Sequence, residues 1–142
     1  MHGASESCQC ENVVVRCMDF RFHADLPALL AEHFGLECFE YDSPGGCGGA
    51  MSLIDDVSRE LILNALDLAI SLHGVRRLVI VNHVDCGAYG GSERFGDPAA
   101  ERDFHAGQLM EADGPLSTDD HLLPKPFDVK KLAHEVRIAL DA

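Results

Sequence analysis

The stretch RRLVIVNHVDCGAYGG, residues 76–91, limits the fold more than any other part of the chain. Leu78 to Val81 is apolar at every position and not at every second one, so both faces of this strand must be covered. A central strand of a parallel sheet, with helices on both sides, meets that demand. The run then stops at His83, places Cys86 three residues later, and continues into Gly87, Gly90 and Gly91. A buried strand that ends on an imidazole and a thiol needs a chemical reason.

The rest of the chain alternates strand and helix signals and holds no internal repeat. NVVVRC (12–17) is a β-branched run and predicts the first strand. Asp25 and Pro27 mark a helix start and Gly35 its stop. ECFEYD (37–42) predicts a second strand, and the glycine loop SPGGCGG follows. Val57, Leu61, Leu66, Ala69, Ile70 and His73 recur at helical spacing up to Gly74, which predicts a long helix packed on the sheet. RRLVIVN (76–82) is the third strand. Asp97 and Pro98 open a helix to about Ala112. Residues 114–127 carry three prolines and predict a loop, and DVKKLAHEVRIALD (128–141) predicts a closing helix with no further strand. These elements predict one α/β domain over residues 1–142, with 1–11 as a flexible lead. Its sheet is mostly parallel, with a core strand order of 2-1-3, flanked by helices.

Charge narrows the choice of partners. The chain has 24 acidic and 11 basic residues, a formal net charge of −13. Such a surface repels phosphate backbones and anionic lipid, so neither nucleic acid nor membrane is expected as a partner. No apolar run reaches the ~18 residues that a spanning helix needs, and MHGASESCQCENVVV lacks a signal-peptide pattern. The expected location is the cytoplasm. In that compartment six cysteines point to metal binding or catalysis before a disulfide framework. No two of them form a C-x-x-C pair, which removes the thioredoxin and zinc-ribbon readings.

Ligands of parallel α/β sheets collect beyond the carboxyl ends of the strands. Cys17 stands at that end of the first strand, with His83 and Cys86 at that end of the third. With order 2-1-3 these strands are neighbours and the three side chains converge. Two thiolates and an imidazole suit tetrahedral zinc and leave one position open, the pattern of a catalytic site; a fourth protein ligand would make the site structural. Buried cysteines are also common packing residues, and a His and a Cys three apart mean little alone. The weight comes from CMDFR (17–21), which puts a carboxylate, Asp19, and a guanidinium, Arg21, beside the first thiolate. Arg21 can hold Asp19, and Asp19 can accept a hydrogen bond from a water on the metal.

C-x-D-x-R at 17–21, followed after an apolar strand by H-x-x-C-G at 83–87, resembles the β-class carbonic anhydrases, and the similar order of elements covers roughly residues 12–112. The resemblance implies one Zn2+ per chain on Cys17, His83 and Cys86, with Asp19 and Arg21 as the catalytic pair. It implies reversible hydration of CO2 to bicarbonate by hydroxide generated on zinc, and a homodimer or higher assembly. It further implies a closed form in which Asp19 becomes a fourth ligand.

The chain departs from the family pattern at the expected substrate pocket. Phe20 stands where a small residue is usual, and DSPGG (42–46) replaces an R-N-A-G stretch, keeping Gly45 and Gly46 but neither polar side chain. Phe20, Gly45, Gly46 and Gly87 are therefore the candidate pocket residues. The family also resembles hydrolases of COS or CS2, so these heterocumulenes stand beside CO2 as alternatives, together with a non-catalytic zinc protein. A cysteine hydrolase with Cys17 or Cys86 as nucleophile is the rival from another class, but Cys17 to Arg21 is C-x3-R where a phosphatase loop needs C-x5-R, and Cys86 has no arginine before Arg94. Among lesser candidates, SPGGCGG lacks a Walker pattern and reads as a turn lining the pocket, with Cys47 a small residue in it. Cys8 and Cys10 have no assigned role. Glu101 and His105 read as a surface i, i+4 pair, with a proton shuttle or an alternative metal ligand as the other readings. His73 reads as a core histidine, and Tyr89 is placed only loosely, against the pocket.

Overall fold

The computed structural model describes residues 9–117 and the strand 133–139. A five-stranded sheet runs in the order β2-β1-β4-β5, with β3 also paired to β1. Its strands are β1 (Asn12–Cys17), β2 (Tyr41–Asp42), β3 (Gly45–Gly46), β4 (Arg77–His83) and β5 (Ala133–Ala139), and every pairing is parallel. The helices are α1 (Asp25–Phe34), α2 (Met51–Ile54), α3 (Asp56–His73) and α4 (Pro98–Ser117). This is the expected α/β architecture, with the second, first and third predicted strands side by side.

Alternation along the two central strands sorts the core into two layers. Val13, Val15, Leu78 and Ile80 face α2, α3 and α4, where Leu53, Ile62, Leu66 and Leu109 close over them. Val14, Val79 and Val81 face the other way, against Phe22 and the Leu26, Leu30, Phe34 stripe of α1. These stripe residues are four apart, one face of a helix. Left-handed glycines end both long helices as expected: Gly35 (φ 66°) after α1 and Gly74 (φ 73°) after α3. Asp97 opens α4 by accepting from the Ala100 N–H at 2.8 Å.

Several expectations are corrected. The predicted closing helix over 128–141 is in fact β5 across 133–139, paired with β4 from Arg77↔Ala133 to His83↔Ala139. A helix there would leave the outer edge of β4 with unsatisfied backbone groups along its length. β-Branched Val136 and Ile138, two apart, suit the strand, and sheet pairing outweighs local helix propensity. The second strand shrinks to Tyr41–Asp42, because Phe39 is left-handed (φ 77°) and the Glu40 N–H closes a turn on the Glu37 carbonyl at 3.1 Å. The predicted loop at 114–127 yields its first residues to α4, which runs to Ser117; the rest lies outside the described residues, as does Cys8.

Val57 and Leu61, expected in the core, are exposed on α3 with Leu68 and Leu72; Ile62, Leu63, Leu66 and Ala69 form its buried face. His73 is not a core histidine: half-buried, its Nδ1 meets Asp42 Oδ2 at 2.6 Å and ties the end of α3 to β2. Among the described residues no helix is long and apolar enough to cross a membrane.

Candidate metal centre

Parallel register places the site. Arg16 pairs with Val81, so the next residues along, Cys17 on β1 and Asn82 with His83 on β4, emerge together at the carboxyl edge. The chain then turns through Asp85, in left-handed conformation (φ 54°), and brings Cys86 back beneath the strand ends. All three residues are buried, and their ligand atoms lie within 4.8 Å of one another. The Cys17 and Cys86 sulfurs are 3.9 Å apart. Tetrahedral zinc with Zn–S bonds of ~2.3 Å requires a sulfur separation of roughly 3.8 Å.

The imidazole is also set for a metal. The His83 Nδ1–H donates to the Val84 carbonyl at 2.7 Å, which leaves the lone pair on Nε2. That Nε2 is buried and has no hydrogen-bond partner among the described residues. A buried nitrogen so oriented is costly unless something binds it, and a cation between it and two sulfurs supplies the partner. The hydrogen bond from Cys86 holds Cys17 well below the usual thiol range, and the same contact together with burial pushes Cys86 far above it. The Gly48 N–H adds a donor to the Cys17 sulfur at 3.3 Å. The SPGGCGG loop thus lines the site through its backbone, as expected. Its approach requires Gly49 (φ 60°), where a Cβ would lie 2.2 Å from the Val81 carbonyl oxygen.

Asp19 and Arg21 stand at the rim. Asp19 caps the turn Phe20–Phe22 by accepting from the Arg21 N–H at 2.9 Å, which folds the guanidinium back on the carboxylate. Arg21 Nε lies 3.1 Å from each carboxylate oxygen and Nη2 lies 2.7 Å from Oδ2. These bonds hold the Asp19 carboxyl down at about 2 and Arg21 above its ordinary value. Oδ2 also lies 3.9 Å from His83 Nε2, so the carboxylate looks into the space that the ligands surround. Met18 and Phe20 project outward beside it, 61% and 80% exposed, and give the rim an apolar edge.

The family model described as "Putative carbonic anhydrase" matches residues 7–112. The chain belongs to this carbonic-anhydrase-like family. An uncharacterized protein of Rickettsia conorii is 26% identical over 110 residues, 73% of this chain; the match spans 58% of that relative, little more than half its length. Among solved structures, the apo form of carbon disulfide hydrolase superposes with a TM-score of 0.57 at 13% identity, covering 94% of this chain and 76% of that one. At such identity the likeness concerns the fold. Cys17, His83 and Cys86 thus form, within the carbonic-anhydrase-like fold, a group that could hold a metal ion.

Of the remaining candidates, Gly45 and Gly46 are drawn into the sheet opposite Arg16 and Cys17, and Gly87 opens the turn after Cys86. Cys47 is exposed and stays out of the cluster, its sulfur 3.9 Å from that of Met18. Two residues of the carbonic-anhydrase-like centre escaped the sequence reading. Asp85 takes Arg21 from the far side: Nη1 donates to its carboxylate and Nη2 to its carbonyl, each at 2.8 Å. Asn82 accepts the Ala50 N–H at 2.8 Å and places its amide against Tyr89 and His105. The pattern HVDC displays Asp85, but not that Arg21 would reach it.

Glu101 and His105 are no surface pair. Both are buried, with Glu101 Oε1 3.8 Å from His105 Nε2. Burial holds His105 below the usual imidazole range; His83 adds to this, and Glu101 opposes it. Between that lowered value and the ordinary one of about 6.5, the unfolded chain binds a proton that the fold rejects. Stability is therefore expected to fall as pH drops through this window, by at most about 1.4 kcal/mol per pH unit for one proton. Urea unfolding of wild type and His105→Gln from about pH 7.5 to about pH 5 checks this. The wild-type slope should be the steeper, and equal slopes would contradict the assignment.

Proposed function

We propose that this protein binds zinc at Cys17, His83 and Cys86 and uses it to add water to a small linear heterocumulene. CS2 and COS are the leading substrates, and CO2 is the second reading. The observation that carries this is the Asp19 carboxylate, held by Arg21 and facing the same space as the free nitrogen of His83. Zinc supplies the acidification of a water to hydroxide near neutral pH. Asp19 stays ionised because Arg21 binds it, so it can accept a hydrogen bond from the attacking water and orient that water's lone pair toward the substrate carbon. Arg21, held in turn by Asp85, keeps the carboxylate from drifting onto the cation.

The apolar Met18–Phe20 edge suits an apolar heterocumulene of any of these kinds, and the likeness to the fold of carbon disulfide hydrolase is in keeping with the sulfur substrates among them. The family's description supports CO2. Hydrolysis of CS2 would proceed as CS2 + H2O → COS + H2S, and then COS + H2O → CO2 + H2S. Protein with one zinc per chain should be assayed for H2S release from CS2 and COS and for stopped-flow CO2 hydration. Release of H2S identifies the first reading, and hydration alone identifies the second. No turnover with any of the three would reject an enzymatic role and leave a structural zinc protein.

A further inference from the structure

We propose that Glu101, which lies outside the Cys17–His83–Cys86 group, is a positioning residue for the Asp19–Arg21 pair and acts through Asp85; the proposal rests on the metal-dependent reading above. Glu101 sits in the first turn of α4 and is only 4% exposed. Burying a carboxylate is costly unless donors surround it, and among the described residues its hydrogen-bond donors come from the ligand loop, with His105 Nε2 3.8 Å away on α4. Oε1 accepts the Asp85 N–H at 2.6 Å, and the Ser92 hydroxyl lies 2.9 Å from Oε2 and 3.1 Å from Oε1. One side chain thus fastens both ends of the segment 85–92, between which Cys86 and Tyr89 enter the site.

Fastening Asp85 matters because its backbone is left-handed, a conformation that Asp tolerates better than most non-glycine residues but that still gains from contacts that hold it. In that conformation one carboxylate oxygen accepts the Ser92 N–H at 2.9 Å and the other meets Arg21, while the carbonyl also turns toward Arg21. Arg21 then has two anchors on one side and Asp19 on the other. The succession Glu101, Asp85, Arg21, Asp19 joins α4 to the rim of the metal centre by direct hydrogen bonds at each step. Without the first link, Asp85 is free to leave the left-handed region and Arg21 loses both contacts beyond Asp19.

The test compares Glu101→Ala, Glu101→Gln, Asp19→Asn and the double variant of Asp19→Asn with Glu101→Ala. Glutamine keeps an acceptor for the Asp85 N–H, and its amide can donate to the Ser92 hydroxyl. Zinc content, the visible absorption of the Co2+-substituted proteins, and kcat and KM on whichever substrate turns over are read together. Glu101→Ala should hold one zinc per chain, shift the cobalt bands because the Asp19 carboxylate beside the cation moves, and lose about 10–100-fold in kcat with little change in KM. Glu101→Gln should restore both band positions and rate. In the Asp19→Asn background, Glu101→Ala should change neither further, since its route to the metal is already cut. Unshifted bands in Glu101→Ala, additive losses in the double variant, or failure of glutamine to restore the centre would each overturn the proposal. If wild type turns over none of the three substrates, the enzymatic reading fails, while the cobalt spectra still decide the role of Glu101. Should the alanine variant not fold, Ser92→Ala removes one arm of the same clamp and is read in the same way.

Discussion

Serine in place of Cys17 is expected to empty the metal centre, whereas serine in place of Cys47 is expected to leave it loaded. Cys17 supplies one of the three candidate ligands among the described residues, and the nearby Asp19 carboxylate is already held by Arg21. Cys86 is already in the set, and the approaching Gly48 group is an N–H donor. A serine hydroxyl is a hard, weakly acidic donor that zinc binds poorly beside a thiolate and an imidazole. Loss of a mere outer partner costs ~10–100-fold in metal affinity, so loss of a direct ligand should cost more than the upper end of that range. Competition with a chromophoric chelator measures it. Cys47 is the matched control, since it lies one residue from Gly48 and yet is exposed and outside the cluster. Retention of zinc by Cys17→Ser, or its loss from Cys47→Ser, would mean that the metal sits elsewhere in the loop.

That two such close cysteines can be told apart shows where the sequence was legible. Cys17, His83 and Cys86 each follow a β-branched or apolar run, so the period of the pattern gives the strand and the strand end gives the site. Their meeting then requires only that β1 and β4 be neighbours, which a parallel α/β chain permits in few ways. Asp19 and Arg21 were legible because their contact is local, closed by the backbone of the turn between them.

What was missed depends on contacts that no local pattern encodes. Arg21 reaches Asp85 across 64 positions, and Glu101 reaches back 16 to the Asp85 N–H. At the level of sequence Glu101 and His105 look like any exposed i, i+4 pair on a helix. Only the docking of α4 over the ligand loop buries them. The closing strand was misread for a related reason. Its residues carry acceptable helix propensity, and the demand that makes them a strand comes from the open edge of β4. Val57 and Leu61 show the converse error: helical spacing finds an apolar stripe, but not which of two neighbouring stripes the sheet will cover.

Asparagine in place of Asp19 is expected to leave zinc bound and to remove most of the turnover. The substitution keeps the shape of the side chain and removes its charge. A carboxylate here accepts the Arg21 N–H, Nε and Nη2 together; an amide has one oxygen for these donors and would turn its NH2 toward the others. Arg21 can still rest on Asp85, so the loop should hold its place and the three ligands should remain as they are. What disappears is the acceptor facing the space beside His83 Nε2, 3.9 Å away. If that acceptor orients the attacking water through a hydrogen bond, the loss belongs to kcat and not to substrate binding, and the loss of such a partner beside a metal costs about 10–100-fold. The comparison should be made at equal zinc content, with steady-state kinetics on the substrate that wild type turns over. A fully active, zinc-loaded Asp19→Asn protein would transfer the orienting of water to another group and reduce the Asp19–Arg21 pair to a turn that merely frames the entrance.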